Sequence, residues 1–275
     1  MDTFKTRLGR FQRRFFKKKF ISSFVKVLSS SEKKASLTLV SVGPGDPALM
    51  TFAAIQAIQN STLVAYPIAK RGGQGLALSI ASFWIPENKQ KLALYFPMVS
   101  DALQLKRAWQ EAGAALAAAV NNGERVVFLC QGDSTLFASS SYVLLEIEAN
   151  HPDCPVKIIP GVTAVSAAAA AGLLPLPMQD EQLLIRPTPD SSAEFKEALI
   201  AGASSNQVTA FLKLGERWLW VKPVLEEMGL LDAALFAERI GFFDQKIMKA
   251  REVDIAPKQY FSLLIVRHHW PSIRP

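Results

Sequence analysis

Four short segments combine glycine, proline and polar side chains in the way a ligand-gripping loop requires: Gly43-Pro44-Gly45-Asp46, Lys70-Arg71-Gly72-Gly73-Gln74-Gly75, Gln131-Gly132-Asp133 and Pro160-Gly161-Val162-Thr163. Glycine lets the backbone approach a bound molecule closely. A carboxylate such as Asp46 can stabilise positive charge or accept a proton. Lys70, Arg71, Lys213 and Arg239 offer cations to an acidic ligand. Each polar residue also has a plain structural reading. Asp46 stands before Pro47, which suits a helix N-cap followed by proline at the first helical position. Asp133 and Thr163 each precede a helical pattern and are placed to cap it. Lys213 and Arg239 end strands, where solvation explains a cation equally well.

Other chemistries fit less well. Gly43–Asp46 is not the G-x-G-x-x-G of a dinucleotide site, and the next strand ends in Tyr66-Pro67 where that site needs an acidic residue for the ribose. No Gly-Lys-Ser/Thr follows, so it is not a P-loop. Cys130 and Cys154, with only His151, His268 and His269, supply neither a disulfide framework nor a dedicated zinc set. Cys130 reads as a small buried hydrophobe, since no histidine is placed by sequence to activate it. His268-His269 reads as an exposed pair after the last strand.

The elements that must carry these loops alternate. Apolar runs of strand length at Leu37–Val42, Thr62–Tyr66, Leu92–Phe96, Arg125–Cys130 and Val156–Ile159 are separated by helical patterns, notably Ala102–Val120 and a helix running from just after Asp133 to about Asn150. Near-continuous apolar strands between helices predict a parallel sheet covered on both faces. In such a sheet ligands bind beyond the carboxyl ends of the strands, where all four segments fall. Beyond Pro177 the texture changes. Strands are predicted at Leu183–Arg186, Val208–Lys213, Ala234–Ile240, Lys246–Ala250 and Tyr260–Val266, with helices at Ala193–Ala201 and Trp218–Met228. The last strands follow one another without a helix, which predicts a mixed sheet. The chain therefore divides into a basic extension (1–36), a first α/β unit (37–162) and a second (163–275).

Charge supports that division. Of 31 Lys/Arg and 24 Asp/Glu, the first 36 residues hold 11 and 2, leaving 20 and 22 in the body. The body's balance does not ask for nucleic acid. In the tail, Phe4, Leu8, Phe11 and Phe15 recur at helical spacing among basic residues, so a targeting peptide, a helix on anionic lipid and an inert extension all stay open. No secretory pattern is present, and the longest uncharged stretch, Ile158 to Gln179, is broken by prolines and glycines, so a cytoplasmic protein without a membrane span is expected.

Three motifs carry a family resemblance: Val42-Gly43-Pro44-Gly45-Asp46-Pro47, Gln131-Gly132-Asp133 and Pro160-Gly161-Val162-Thr163-Ala164-Val165-Ser166-Ala167. With them the chain resembles the tetrapyrrole methylase family, the class III S-adenosylmethionine-dependent methyltransferases. Tyr66-Pro67, Tyr95-Phe96-Pro97-Met98, Leu212-Lys213-Leu214-Gly215 and Tyr260-Phe261-Ser262-Leu263-Leu264 are similar to the branch acting at C20 of precorrin-2, and the likeness runs from residue 37 to about 267. The resemblance implies two α/β domains, a site in the cleft between them and a homodimer. It implies S-adenosylmethionine contacts at Pro44, Gln131, Gly132, Asp133, Leu136, Thr163, Ala164, Lys213 and Ile240. Asp46 is the candidate catalytic carboxylate, and Lys70, Arg71 and Arg239 join Lys213 as cations for the carboxylates of precorrin-2, or of its cobalt form; no metal is expected among the protein's own ligands. A methylase of the same fold acting on ribosomal RNA, and a non-catalytic membrane-surface protein, are the competing readings.

Overall fold

The computed structural model describes residues 34–271, so the predicted amphipathic helix of the tail lies outside the described residues. The first sheet contains β1 (Ser36–Ser41), β2 (Leu63–Ile68), β3 (Gln90–Tyr95), β4 (Arg125–Cys130) and β5 (Val156–Ile159). All its pairings are parallel, in the order β3-β2-β4-β1-β5. Alternation along each strand decides which helix covers it. Leu37, Leu39 and Phe128 face Leu116 of α3 (Ala102–Asn121) and Val143 and Ile147 of α4 (Ser139–Asn150). Val40, Val127 and Leu129 face the other way, onto Ala54 and Ile58 of α1 (Phe52–Asn60) and Ile80 of α2 (Leu76–Ala81). Burial on both faces is why β1, β2 and β4 read as near-continuous apolar runs.

The second sheet has the order β6-β7-β10-β8-β9. Its strands are β6 (Gln182–Pro187), β7 (Gln207–Leu212), β8 (Ala234–Glu238), β9 (Lys246–Lys249) and β10 (Ser262–Arg267). Only β6 and β7 pair in parallel, so the sheet is mixed. One face packs on α6 (Ser192–Ser204) and α7 (Trp218–Glu227) through Phe195, Leu199, Trp218, Val221 and Leu225. The alanine-rich α5 (Ala164–Ala171) covers the other, laying Val165, Ala167 and Ala168 on Val208, Ala210, Ala237 and Ile265. Small side chains let this helix lie close to the strands.

The connection from α5 to β6 is pinned by a buried ion pair. Arg267, at the end of β10, pairs with Glu181, and both side chains are 2% exposed. Its guanidinium also donates to the carbonyls of Pro175 and Leu176, each at 2.8 Å. Among the described residues no helix is long and apolar enough to cross a membrane.

Three expectations are corrected. α4 starts at Ser139 rather than directly after Asp133, because residues 134–138 form a turn whose bonds run back to Ser41 and Asp133. Accordingly Asp133 caps no helix; the N-cap of α4 is Ala138, with no side-chain bond. His268 is not exposed as predicted: it is partly buried, and burial first, then the neighbouring His269, lowers its pKa.

Candidate functional site

The carboxyl ends of β1, β4 and β5 turn toward the second sheet. Gly43 and Gly132 exchange backbone bonds of 3.2 and 2.8 Å across β1 and β4. The side-chain amide of Gln131 donates to the carbonyl of Pro44 at 3.1 Å. The Ser41 hydroxyl donates to Ser134 Oγ at 2.9 Å and accepts from the Ser134 amide at 2.8 Å. Asp133 ties in the third strand: its carboxylate accepts from the amides of Thr135 (2.8 Å) and Gly161 (2.7 Å) and from the Thr135 hydroxyl. Burial by itself would raise the Asp133 carboxyl, yet the bonds from the Thr135 hydroxyl and the Gly161 and Thr135 amides outweigh it and hold the group below the ordinary carboxylate range. Three loops distant in sequence thus form one rigid platform.

The second sheet meets that platform at an interlocked pair of turns. A Cβ on Gly45 would lie 2.5 Å from the Ile240 carbonyl oxygen and 2.8 Å from the Phe242 ring. A Cβ on Gly241, whose φ is +82°, would lie 2.4 Å from the Asp46 nitrogen. Only glycine permits this approach.

Between platform and second sheet lies an open chamber with about 820 Å³ of empty space, the solvent at its mouth included. Leu136, Ala164, Val165, Ile240 and Leu263 give it apolar walls, and Pro44, Gln131, Gly132, Asp133 and Thr163 border it on the platform side. A larger trough adjoins it, with about 1520 Å³ of empty space including open solvent, walled by Ile68, Phe96, Met98, Ala138 and Tyr142. Gln131, Phe137, Lys213, Tyr260 and Phe261 border both. Among the described residues six non-glycine residues have positive φ, and three of them, Phe137 (+50°), Lys213 (+60°) and Arg239 (+53°), line the smaller chamber. Strained backbone is thereby concentrated at the cleft.

The structure brings together Pro44, Gln131, Gly132, Asp133, Leu136, Thr163, Ala164, Lys213, Arg239 and Ile240 as chamber walls. Thr163 also caps α5, accepting from the Ser166 amide at 3.0 Å. Arg239 is already engaged: its guanidinium donates to both carboxylate oxygens of Asp244 at 2.8 and 2.7 Å and stacks on Phe242. Among the described residues Lys213 has no carboxylate partner; its ammonium lies 5.7 Å from the centre of the Tyr260 ring. Lys70 and Arg71 sit outside both walls, on the exposed loop that follows Ala69 at the trough's edge, with Arg71 over the Tyr95 ring at 5.1 Å. Asp46 is not brought to the chamber wall. Its carboxylate accepts from the Ala48 amide at 2.8 Å and caps the short helical turn Pro47–Leu49. Among the described residues no cluster of three or more His, Cys, Asp or Glu is placed to hold a metal.

Sequence reasoning missed Phe137 and Phe242, and Tyr260 and Phe261 as cavity walls. Nothing local marks Phe137, because a positive φ at a phenylalanine has no sequence signature. The pair Tyr260-Phe261, predicted inside the last strand, precedes it and turns its rings to the cleft.

Comparison with known proteins agrees with this geometry. The sequence profile described as Tetrapyrrole (Corrin/Porphyrin) Methylases matches residues 36–256. The cobalt-precorrin-2 C(20)-methyltransferase of Salmonella typhimurium is 31% identical over 238 residues, covering 85% of this chain and 97% of the relative. The precorrin-2 C(20)-methyltransferase of a Sinorhizobium species is 29% identical, covering 82% of this chain and 93% of the relative. Among solved structures, the methyltransferase CobJ superposes with a TM-score of 0.62 at 20% identity, over 85% of this chain and 94% of that one, and shares the fold. A two-sheet scaffold with interlocked loops, matched over nearly all its described length by one profile, places the chain in the tetrapyrrole methylase family of S-adenosylmethionine-dependent methyltransferases.

Proposed function

We propose that this protein methylates C20 of precorrin-2, or of its cobalt-loaded form, with S-adenosylmethionine as the donor. The observation that carries the reading is the pair of joined cavities: a smaller apolar chamber beside a larger aromatic-walled trough, sharing Gln131, Phe137, Lys213, Tyr260 and Phe261. The two relatives named for C20 methylation, one with cobalt and one without, support the choice of acceptor.

The smaller chamber suits the donor. Gly132 has a φ of +73°, and a Cβ there would meet nothing within 4 Å, so a bound molecule can lie directly on its backbone. Pro44, Gln131, Gly132, Asp133, Leu136 and Thr163 would hold the donor from the platform, Ala164 from the start of α5, and Ile240 from just past the end of β8. When bound, the donor supplies a methyl group already activated on a sulfonium. What the chain must add is alignment of two reactants and exclusion of water. The platform's mutual hydrogen bonds provide the rigidity that such alignment needs.

The acceptor is flat and bears many carboxylates. The trough offers aromatic walls to its faces, and Lys213, unpaired among the described residues and bordering both cavities, is placed to take a carboxylate. Arg239, neutralised by Asp244, contributes less charge, and Lys70 and Arg71 meet the acids at the edge. Asp46 acts by capping the Pro47–Leu49 turn that follows the Pro44 loop.

The test is incubation with methyl-labelled S-adenosylmethionine and precorrin-2, metal-free and cobalt-loaded, with mass spectrometry of the product. One added methyl at C20 is expected. Lys213→Met should raise the acceptor KM about tenfold, the worth of one charge-assisted hydrogen bond. No methylated product with either acceptor, or no heat on titration with S-adenosylhomocysteine, overturns the proposal.

A further inference from the structure

We infer that Phe137 is a positioning residue whose ring forms the partition between the donor chamber and the acceptor trough; the inference rests on the function proposed above. Phe137 borders both cavities. Its φ is +50°, a backbone conformation that asparagine or glycine adopts readily and a bulky aromatic residue does not. The residue is 48% exposed, so packing into the core does not account for keeping a phenylalanine there.

The strain is imposed from both sides. Upstream, the Asp133 carboxylate fastens the amide and hydroxyl of Thr135. Downstream, Ser140 Oγ donates to the Ser134 carbonyl at 2.7 Å, and the Ser141 amide bonds the Ala138 carbonyl at 3.1 Å as α4 begins. Two flanking bonded turns leave residue 137 no freedom to relax to a negative φ. Across the junction, Lys213 shares the left-handed conformation and Phe261 borders the same two cavities. A bulky ring held rigidly at a strained position between two chambers does what a smaller residue cannot. It keeps the flat acceptor out of the donor space and narrows their meeting to the reacting atoms.

Phe137→Gly separates this role from a structural one, because glycine accepts the left-handed backbone and removes only the ring. The thermal midpoint should stay the same or rise. S-adenosylhomocysteine affinity by calorimetry should stay within about twofold, since the other chamber walls remain. Single-turnover methyl transfer should slow about a hundredfold, the cost of a misplacement on the order of an ångström. Phe137→Tyr, which retains the ring, should restore most of the rate. Wild-type transfer rates in Phe137→Gly, a fall in rate matched by an equal fall in S-adenosylhomocysteine affinity, or a lowered thermal midpoint each overturn the assignment. If the wild-type protein itself transfers no methyl group yet binds S-adenosylhomocysteine, the acceptor proposed above is wrong and the partition falls with it; a failure confined to the variant arms concerns Phe137 alone.

Discussion

Arg267→Met tests whether the buried ion pair holds the inter-sheet connection. Arg267 and Glu181 are each 2% exposed, and the guanidinium also satisfies the carbonyls of Pro175 and Leu176. Methionine fills much of the volume but leaves the carboxylate without its cation and two carbonyls without their donor. Breaking one partner of a buried pair costs about 3–5 kcal/mol. The lower end applies here, because Glu181 keeps the Met178 amide at 2.7 Å. For a protein of this length ~3 kcal/mol lowers the thermal midpoint by about 6–12 °C. The pH dependence adds a second check. Burial alone would raise the Glu181 carboxyl, but the Arg267 hydrogen bond, the Met178 amide and the Arg267 charge outweigh it and hold it below its ordinary 4.5. A depressed carboxyl stabilises the fold above its unfolded pKa, and that stability is lost as pH falls through the lower, folded value. The gap between wild type and Arg267→Met should therefore be widest near neutrality and shrink below about pH 4. Thermal melts of both proteins across that range measure it. Equal midpoints at neutral pH, or a gap that does not change with pH, would refute the reasoning.

Three more outcomes follow from the site. Gly241→Ala forces a Cβ to 2.4 Å from the Asp46 nitrogen at a φ of +82°, so it should lower stability by about 2 kcal/mol and weaken S-adenosylhomocysteine binding in calorimetry, because the Pro44 and Ile240 walls must separate. Asp46→Asn keeps an acceptor for the Ala48 amide and should turn over like wild type, whereas Asp46→Ala loses the cap and about 1 kcal/mol; a large loss of turnover in Asp46→Asn would instead show that the charge takes part in the reaction. Burial first, and the Asp133 charge in addition, push the Cys130 thiol up despite bonds from Ser140 and Ser134, so alkylation by iodoacetamide near neutral pH should follow unfolding only; rapid labelling of the native protein would contradict this.

Much of the architecture was legible from periodicity. Arg125–Cys130 and Val156–Ile159 read as apolar runs, and they form β4 and β5 with those same limits; β4 lies inside the sheet with both faces buried, which favours apolar side chains, whereas β5 at the edge leaves Lys157 exposed. The late run of strands without helices announced the mixed sheet. The glycine-bearing loops were also visible, since backbone crowding such as that between Gly45 and Gly241 leaves no other residue type. Side-chain destinations were not. Whether Asp46 caps a turn or faces the cleft, whether Asp133 caps a helix or binds the Gly161 amide, and whether Arg239 is free or held by Asp244 depend on partners far along the chain or on the direction of a turn. Local sequence sets a residue's conformational preferences and its chemistry. Which of its possible partners it meets is decided only when two sheets pack, and so the loops, the fold class and the candidate residues came from sequence, while the division into two chambers and the strained Phe137 between them came from tertiary structure alone.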